Sequence, residues 1–179
     1  MQNIFSIPIE ILQLTNIDNN LLVEYAKSRY DENCKYSNCS VYDIELQDLN
    51  KIVKSCVENF SLNYVSSKNN IIDIKKVWVN IKADNSITSP HAHRDSFLSA
   101  VYYPKAEDTE LVILNPFAHS HLSHINPNNI IDFNEYNSEN FSIPVKTGML
   151  VIFNSMLVHY VNYTNKERVS IAFDINLKK

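Results

Sequence analysis

The stretch from Ser89 to Tyr103, SPHAHRDSFLSAVYY, places two histidines and a carboxylate directly before a β-favourable run. His91, His93 and Asp95 occupy alternate positions, and on an extended backbone such residues share a face at a spacing of about 6.6 Å. Two imidazoles and one carboxylate that leave coordination positions open form the facial arrangement of non-haem Fe(II) oxygenases. An isolated pair of this kind is more often a surface feature, so a metal site here requires a further ligand from elsewhere in the chain.

The residues around this stretch predict a β-rich domain. From residue 71 onward the chain consists of short apolar or alternating segments, which are IIDIKKVWVNIK, FLSAVYY, ELVIL, MLVIF, LVHYVNY and RVSIAFDI. Many short strands with turn residues between them favour a sandwich or barrel, and no helical period recurs. We therefore expect a mainly β (α+β) fold with a double-stranded β-helix core, the jelly roll of cupin-like proteins.

The amino-terminal third predicts a mixed support for that core. Residues 4–14 alternate as in a strand, with Pro8 suited to an edge. Asp18 or Asn19 can cap a helix over residues 21–30. A second helix is indicated by apolar residues at three- and four-residue spacing, which are Leu49, Ile52, Val53, Cys56, Val57 and Phe60. We expect one domain over residues 1–179, with residues 1–65 packed outside a core of residues 71–177.

Composition narrows the functional classes. The chain has 179 residues, 45% of them hydrophobic, and a formal net charge of −4. No apolar run approaches the roughly 18 residues of a membrane span, and the start, MQNIFSIPIEILQ, has no signal-peptide pattern. The net negative charge and the lack of a long basic run argue against a surface that binds nucleic acid, because such surfaces need clustered Lys and Arg. Because Cys34, Cys39 and Cys56 are odd in number and lack metal-type spacing, reduced thiols are expected, and together with the missing signal-peptide pattern they favour a cytoplasmic location.

Three residues near the carboxyl terminus complete the predicted site. His159 ends a hydrophobic segment, where a buried imidazole needs a hydrogen-bond partner or a metal. Arg168 and Ser170 share a strand face, and a guanidinium beside a hydroxyl suits one carboxylate. The plainer alternatives are a core histidine with a satisfied hydrogen bond, and an ordinary ion pair of Arg168 with Glu167 or Asp174.

Taken in order, these motifs resemble the Fe(II)/2-oxoglutarate dioxygenase superfamily, and most closely its small oxygenases from bacteria and phages. That group's pattern reads Trp-x-Asn, His-x-His, Ser-Gly-Val-Tyr-Tyr, Phe-Pro-Ser-x-Leu-x-His and Arg-x-Ser-x-x-Phe-Asn. The resemblance covers residues 76–175, and the matching segments are Trp78 to Asn80, His91 to His93, Ser99 to Tyr103, Phe153 to His159 and Arg168 to Asp174. The chain departs from this pattern at three positions: it has Ala100 in place of Gly, Asn154 in place of Pro and Asp174 in place of Asn.

The resemblance implies an enzyme that uses Fe(II), the cosubstrate 2-oxoglutarate and O₂ to hydroxylate a substrate, with release of succinate and CO₂. It implies that Arg168 and Ser170 hold the distal carboxylate of 2-oxoglutarate. Tyr102 or Tyr103, together with Asn80, would add hydrogen bonds. We expect Trp78 to belong to the core, since its neighbours are β-favourable.

Two ligand sets remain open. The chemistry of the residues favours His93, Asp95 and His159, whereas the family's register favours His91, His93 and His159, with Asp95 accepting a hydrogen bond behind the ligands. Three further histidines, His119, His121 and His124, are interpreted as solvated loop residues rather than as a rival metal site.

Two other functions also remain open at this point. One is a cupin-like metalloenzyme that does not use 2-oxoglutarate, and the other is a noncatalytic jelly-roll binding module. For the oxygenase, a small molecule or a peptide is the expected substrate. Substrate selection is expected in the amino-terminal elements and in the polar loop of residues 116–141.

Overall fold

The computed structural model describes residues 6–30, 37–65, 71–82, 87–118, 126–134, 136–162 and 166–178. Within these ranges the chain forms two α-helices, α1 (Asn19–Arg29) and α2 (Gln47–Val65). The strands in the same ranges are β1 (Glu10–Gln13), β2 (Ser37–Cys39), β3 (Ile71–Lys82), β4 (Thr88–His91), β5 (Leu98–Lys105), β6 (Thr109–Leu114), β7 (Asn140–Val145), β8 (Met149–Asn154), β9 (His159–Val161) and β10 (Arg168–Lys178).

The strands form two antiparallel sheets. The larger sheet has the order β1-β8-β5-β10-β3-β2, and the smaller one has the order β4-β9-β6-β7. From β3 to β10 the chain passes repeatedly between the sheets, and only β6 and β7 follow each other within one sheet. This is the connectivity of a jelly roll, so the predicted double-stranded β-helix core is confirmed.

The larger sheet is buried on both faces. One face packs against α1 and α2 in an apolar cluster that includes Val79, Tyr102 and Ile171. The opposite face packs against the smaller sheet in a second cluster that includes Tyr103 and Phe153. A strand covered on both sides has no reason to alternate between apolar and polar residues, which explains why segments such as MLVIF are apolar throughout.

The two helices form where the sequence predicts them and pack outside the barrel. Asp18 caps α1, since its carboxylate accepts a hydrogen bond from the Leu21 amide at 3.1 Å. The predicted apolar stripe of α2 faces the larger sheet, with Val53 and Val57 fully buried. The division into support and core at residues 65 to 71 stays a prediction.

Three strands were not predicted, and one is shorter than predicted. The sequence gives little sign of β2 and β4, which have three and four residues. The β7 strand lies at the edge of the smaller sheet and contains Pro144, which an edge strand tolerates. In the described part of residues 4–14, only Glu10–Gln13 is a strand.

None of the described helices combines the length and the apolar character needed to cross a membrane. Cys39 and Cys56 are not joined to each other, and Cys34 lies outside the described residues.

Candidate metal centre

Three histidines from separate segments meet at one end of the barrel. His91 ends β4 and is paired directly with His159, the first residue of β9. His93 follows two residues later, and its amide donates a 2.8 Å hydrogen bond to the Ser155 carbonyl, which fixes the loop over the end of β8. One ring nitrogen from each histidine lies within 4.8 Å of the other two. The three imidazoles can therefore converge on one metal ion.

The outer ring nitrogen of each histidine is turned toward an oxygen acceptor. His91 Nδ1 lies 2.8 Å from the Ser89 carbonyl oxygen, and His159 Nδ1 lies 3.0 Å from that of Leu157. Since a carbonyl can only accept, both Nδ1 atoms carry the proton and donate it. His93 Nδ1 lies 2.9 Å from Asp174 Oδ1. His91 and His159 therefore each keep an Nε2 lone pair for a metal, as metal-binding histidines do, and Asp174 is the nearby acceptor for His93 Nδ1.

His159 has the electronic state that a ligand needs. Its side chain is buried, and this burial lowers its pKa to about 4, against the opposing effect of its hydrogen bond to Leu157. The imidazole is therefore neutral near pH 7, and its Nε2 lone pair is available. A purely structural role for His159, as a core histidine whose hydrogen bonds are all satisfied, would not explain why His91 and His93 lie beside it.

A cavity of about 70 Å³, open to solvent on one side, extends from the histidines to Arg168 and Ser170 on β10. Arg168 is only 3% exposed, and its Nε and Nη1 atoms have no hydrogen-bond partner among the described residues. Burial lowers the pKa of Arg168 below its ordinary value, but a guanidinium stays charged at neutral pH. A buried cation without a partner is costly, so the cavity is built to receive an anion.

The ion pairs suggested as alternatives for Arg168 do not form. Glu167 lies 2.7 Å from Lys105 Nζ and 3.3 Å from Lys27 Nζ, at the surface. Asp174 lies beside His93 instead. An anionic ligand such as a carboxylate is therefore the partner that fits Arg168 and the neighbouring Ser170 hydroxyl.

The other predicted cosubstrate residues divide between the two faces of the larger sheet. Asn80 of β3 is paired directly with Ser170 and lines the cavity. Tyr102 does not line it, because its side chain lies on the helix-covered face and its hydroxyl donates a 2.6 Å hydrogen bond to Asn19 Oδ1. Tyr103 lines the cavity instead, close enough to Arg168 for their charges to interact. Of the two tyrosines considered, Tyr103 therefore has the position of a cosubstrate residue.

Asp95 is the one candidate ligand that the structure does not bring to the histidines. Its side chain is exposed in the turn after His93, and its backbone carbonyl accepts a 3.1 Å hydrogen bond from Lys75 Nζ. The backbone is no longer extended at this turn, so alternation does not hold Asp95 on the face of His93. The three histidines of the loop, His119, His121 and His124, lie outside the described residues.

Three residues of the site were not predicted as such. Trp78 was expected in the core but is half-buried at the cavity, where its ring stacks on that of His93 with centroids 5.3 Å apart. Ser99 lines the cavity, and its buried hydroxyl has no hydrogen-bond partner among the described residues. Asp174 lies beside His93. The alternation of side chains along a strand could have predicted two of these positions. Trp78 is two residues from Asn80 and shares its face of β3, and Asp174 is four residues from Ser170 and shares its face of β10.

A search against protein families matches residues 76–174 to the family described as "Putative 2OG-Fe(II) oxygenase". The matched region contains every cavity residue discussed above. No curated protein sequence matches the chain.

Solved structures match over nearly the whole chain. An oxidoreductase of the 2OG-Fe(II) oxygenase family from Burkholderia pseudomallei has a TM-score of 0.61 at 11% identity, covering 93% of this chain and 84% of its own. The viral collagen prolyl hydroxylase of Paramecium Bursaria Chlorella virus-1, solved with 2OG, has a TM-score of 0.61 at 14% identity and covers 96% of both chains. A prolyl-4-hydroxylase from Pseudomonas putida has a TM-score of 0.59 at 13% identity, covering 97% and 90%. At these identities the likeness establishes the fold.

Proposed function

Since this chain belongs to the 2OG-Fe(II) oxygenase family, we propose that His91, His93 and His159 hold its Fe(II) and that Arg168 binds its 2-oxoglutarate. The chain is an Fe(II)- and 2-oxoglutarate-dependent oxygenase. The observation that supports the residue assignment is one cavity that holds three histidines with ring nitrogens within 4.8 Å of one another and a buried guanidinium whose Nε and Nη1 have no hydrogen-bond partner among the described residues.

Each cavity residue has a defined task in this proposal. When bound, Fe(II) supplies with 2-oxoglutarate and O₂ the oxidising chemistry that hydroxylates the substrate and releases succinate and CO₂. Arg168 and Ser170 grip the distal carboxylate of 2-oxoglutarate and so orient the cosubstrate toward the histidines. Burial raises the pKa of Tyr103 to about 12, so its hydroxyl stays protonated and can donate a hydrogen bond to the same anion. Asn80 is placed to donate another.

Anaerobic titration with Fe(II) and 2-oxoglutarate tests this function. We expect a weak visible metal-to-ligand absorption band only when both are present, and succinate once air is admitted. Fe(II) alone and 2-oxoglutarate alone serve as controls. A metalloprotein of the cupin type that does not use 2-oxoglutarate would bind the metal without the band, and a noncatalytic module would bind neither. Either result would contradict the proposal.

The choice between ligand sets is tested by a pair of substitutions. We expect His91→Ala to weaken Fe(II) binding at least tenfold, since it removes a side chain that binds the metal directly and not one that only orients a metal ligand. Asp95→Asn should leave Fe(II) affinity within about twofold, because its exposed carboxylate is not part of the cluster. The measurement is Fe(II) affinity under anaerobic conditions. The reverse outcome would assign the metal to His93, Asp95 and His159.

We propose a small molecule or a peptide with an apolar portion as the substrate. Two apolar side chains support this. The half-buried ring of Trp78 borders His93. Phe141, which is 55% exposed, is paired with Ile113, itself paired with His159, so Phe141 lies on the cavity-facing side of the smaller sheet. The net charge of −4 supports a substrate other than nucleic acid, and the odd number of cysteines supports a reducing cytoplasm.

A further inference from the structure

Asp174 is the one carboxylate that contacts the histidine cluster within the described ranges. Its Oδ1 lies 2.9 Å from His93 Nδ1, and both side chains are only 14% exposed. In the larger sheet Asp174 is paired with Lys76 of β3 and with Ser99 of β5, so it occupies a central position beside the cavity. Neither the proposed iron ligands nor the proposed 2-oxoglutarate contacts use it.

The charge of the proposed site leaves a role for this carboxylate. Non-haem Fe(II) sites with open positions commonly combine two histidines with one carboxylate. Here the three ligands are neutral imidazoles, and the nearby Arg168 adds a positive charge. With Fe(II) and dianionic 2-oxoglutarate in the cavity, the site would keep one excess positive charge. The carboxylate of Asp174 cancels that charge.

We propose that Asp174 is a positioning residue that holds the Nδ1–H of His93 so that Nε2 faces the metal. Its negative charge lies behind His93 and compensates the charge of the metal, as the carboxylate ligand does in sites that combine two histidines with one carboxylate. The inference rests on the proposed set of three histidine ligands. Asp174 Oδ1 has no other hydrogen-bond partner among the described residues and lies 2.9 Å from His93 Nδ1, so its acceptor capacity is available to that nitrogen.

Two substitutions separate the hydrogen bond from the charge. Asp174→Asn keeps an oxygen that can accept from His93 and removes the charge, and asparagine is also the residue in the family pattern that the sequence resembles. Asp174→Ala removes both. Asp73→Asn is the matched control, because Asp73 lies on β3 and pairs with Lys178 at 2.7 Å, away from the cavity.

Metal binding can be followed without turnover through the single tryptophan. Trp78 stacks on His93 with an interplanar angle of 19°, so a metal held by His93 is expected to change its fluorescence. The protein is titrated anaerobically with Fe(II) while Trp78 emission is followed. The metal-saturated protein is then titrated with 2-oxoglutarate. Circular dichroism of each variant checks that it is folded.

We expect Asp174→Ala to weaken Fe(II) binding by about tenfold to a hundredfold, as is usual for residues that support a metal-binding histidine. Asp174→Asn should weaken it by a smaller factor. At saturating Fe(II), Asp174→Asn should bind 2-oxoglutarate as tightly as the wild type or more tightly, because the metal then carries a larger uncompensated positive charge. Asp73→Asn should match the wild type in both titrations.

Three results would overturn the inference. Wild-type Fe(II) affinity in both Asp174 variants would show that the carboxylate does not act on the metal. Equal weakening of Fe(II) and 2-oxoglutarate binding in Asp174→Asn would show a general structural defect. If the wild type binds no Fe(II) and forms no succinate, the proposed function fails first, and the role of Asp174 fails with it.

Discussion

Replacing Arg168 by alanine is expected to raise the 2-oxoglutarate concentration for half-maximal succinate formation at least a hundredfold. Arg168 is buried, and its Nε and Nη1 have no hydrogen-bond partner among the described residues, so its interaction with a carboxylate takes place away from water, where charge-assisted hydrogen bonds are strong. Removing one partner of such a buried pair costs about 3–5 kcal/mol. Each 1.4 kcal/mol corresponds to about tenfold in affinity. Steady-state succinate assays over a range of 2-oxoglutarate concentrations measure the effect.

Arg168→Lys and Lys105→Ala provide the matched comparisons. Lysine keeps the positive charge but loses the planar fork, so we expect an intermediate loss of 2-oxoglutarate affinity. Lys105 lies on the neighbouring strand β5 and pairs with Glu167 at the surface, so Lys105→Ala should bind 2-oxoglutarate like the wild type. An unchanged requirement for 2-oxoglutarate in Arg168→Ala would place the cosubstrate carboxylate elsewhere in the cavity.

Arg168→Ala is expected to weaken 2-oxoglutarate binding but not to lower the stability of the ligand-free protein. An unpaired buried charge destabilises the fold, so without ligand Arg168→Ala should unfold at the same temperature as the wild type or at a higher one. Adding a divalent metal and 2-oxoglutarate should raise the unfolding temperature of the wild type much more than that of the variant, since a ligand stabilises the folded state only as far as it binds. A variant that is simply misfolded would lose stability under both conditions.

Much of the candidate site can be predicted from sequence because most of its residues lie on extended strands. Alternation places Arg168 and Ser170 on one face of β10, and the structure has both lining the cavity. The same rule, applied to Asn80, would have placed Trp78 in the site. The β-favourable residues around Trp78 favour a core position, but they do not indicate which face of the strand its ring occupies.

Two alternatives stay open in the sequence for a physical reason that local sequence does not reveal. Tyr102 and Tyr103 lie on opposite faces of a sheet that is covered on both sides, so each is fully buried and composition does not distinguish them. Only the pairing of β5 with its neighbours determines which tyrosine faces Arg168. Asp95 follows His93 by two residues, but the chain turns between them. Alternation predicts a shared face only while the backbone stays extended.

Replacing His159 by alanine is expected to abolish stoichiometric Fe(II) binding and, with it, succinate formation. His159 is paired directly with His91 and stacks on His93 with ring centroids 5.2 Å apart, and it is the buried member of the cluster. Removing a direct metal ligand should lower the Fe(II) affinity by more than the tenfold to hundredfold that is typical when a residue supporting a ligand is removed. Metal analysis of protein purified without chelators, together with anaerobic titration of Fe(II) against Trp78 fluorescence, measures the result.

The control for His159→Ala is His121→Ala, which makes the same chemical change at a histidine that the sequence predicts to be a solvated loop residue. Metal binding should persist in this variant. Because His159 is buried, alanine also removes packing, so His159→Gln, which fills more of the same volume, should be measured beside it. If a folded His159→Ala protein kept one Fe(II) per chain while His121→Ala lost it, the metal would belong to the loop histidines, and the cluster of His91, His93 and His159 would not be the iron site.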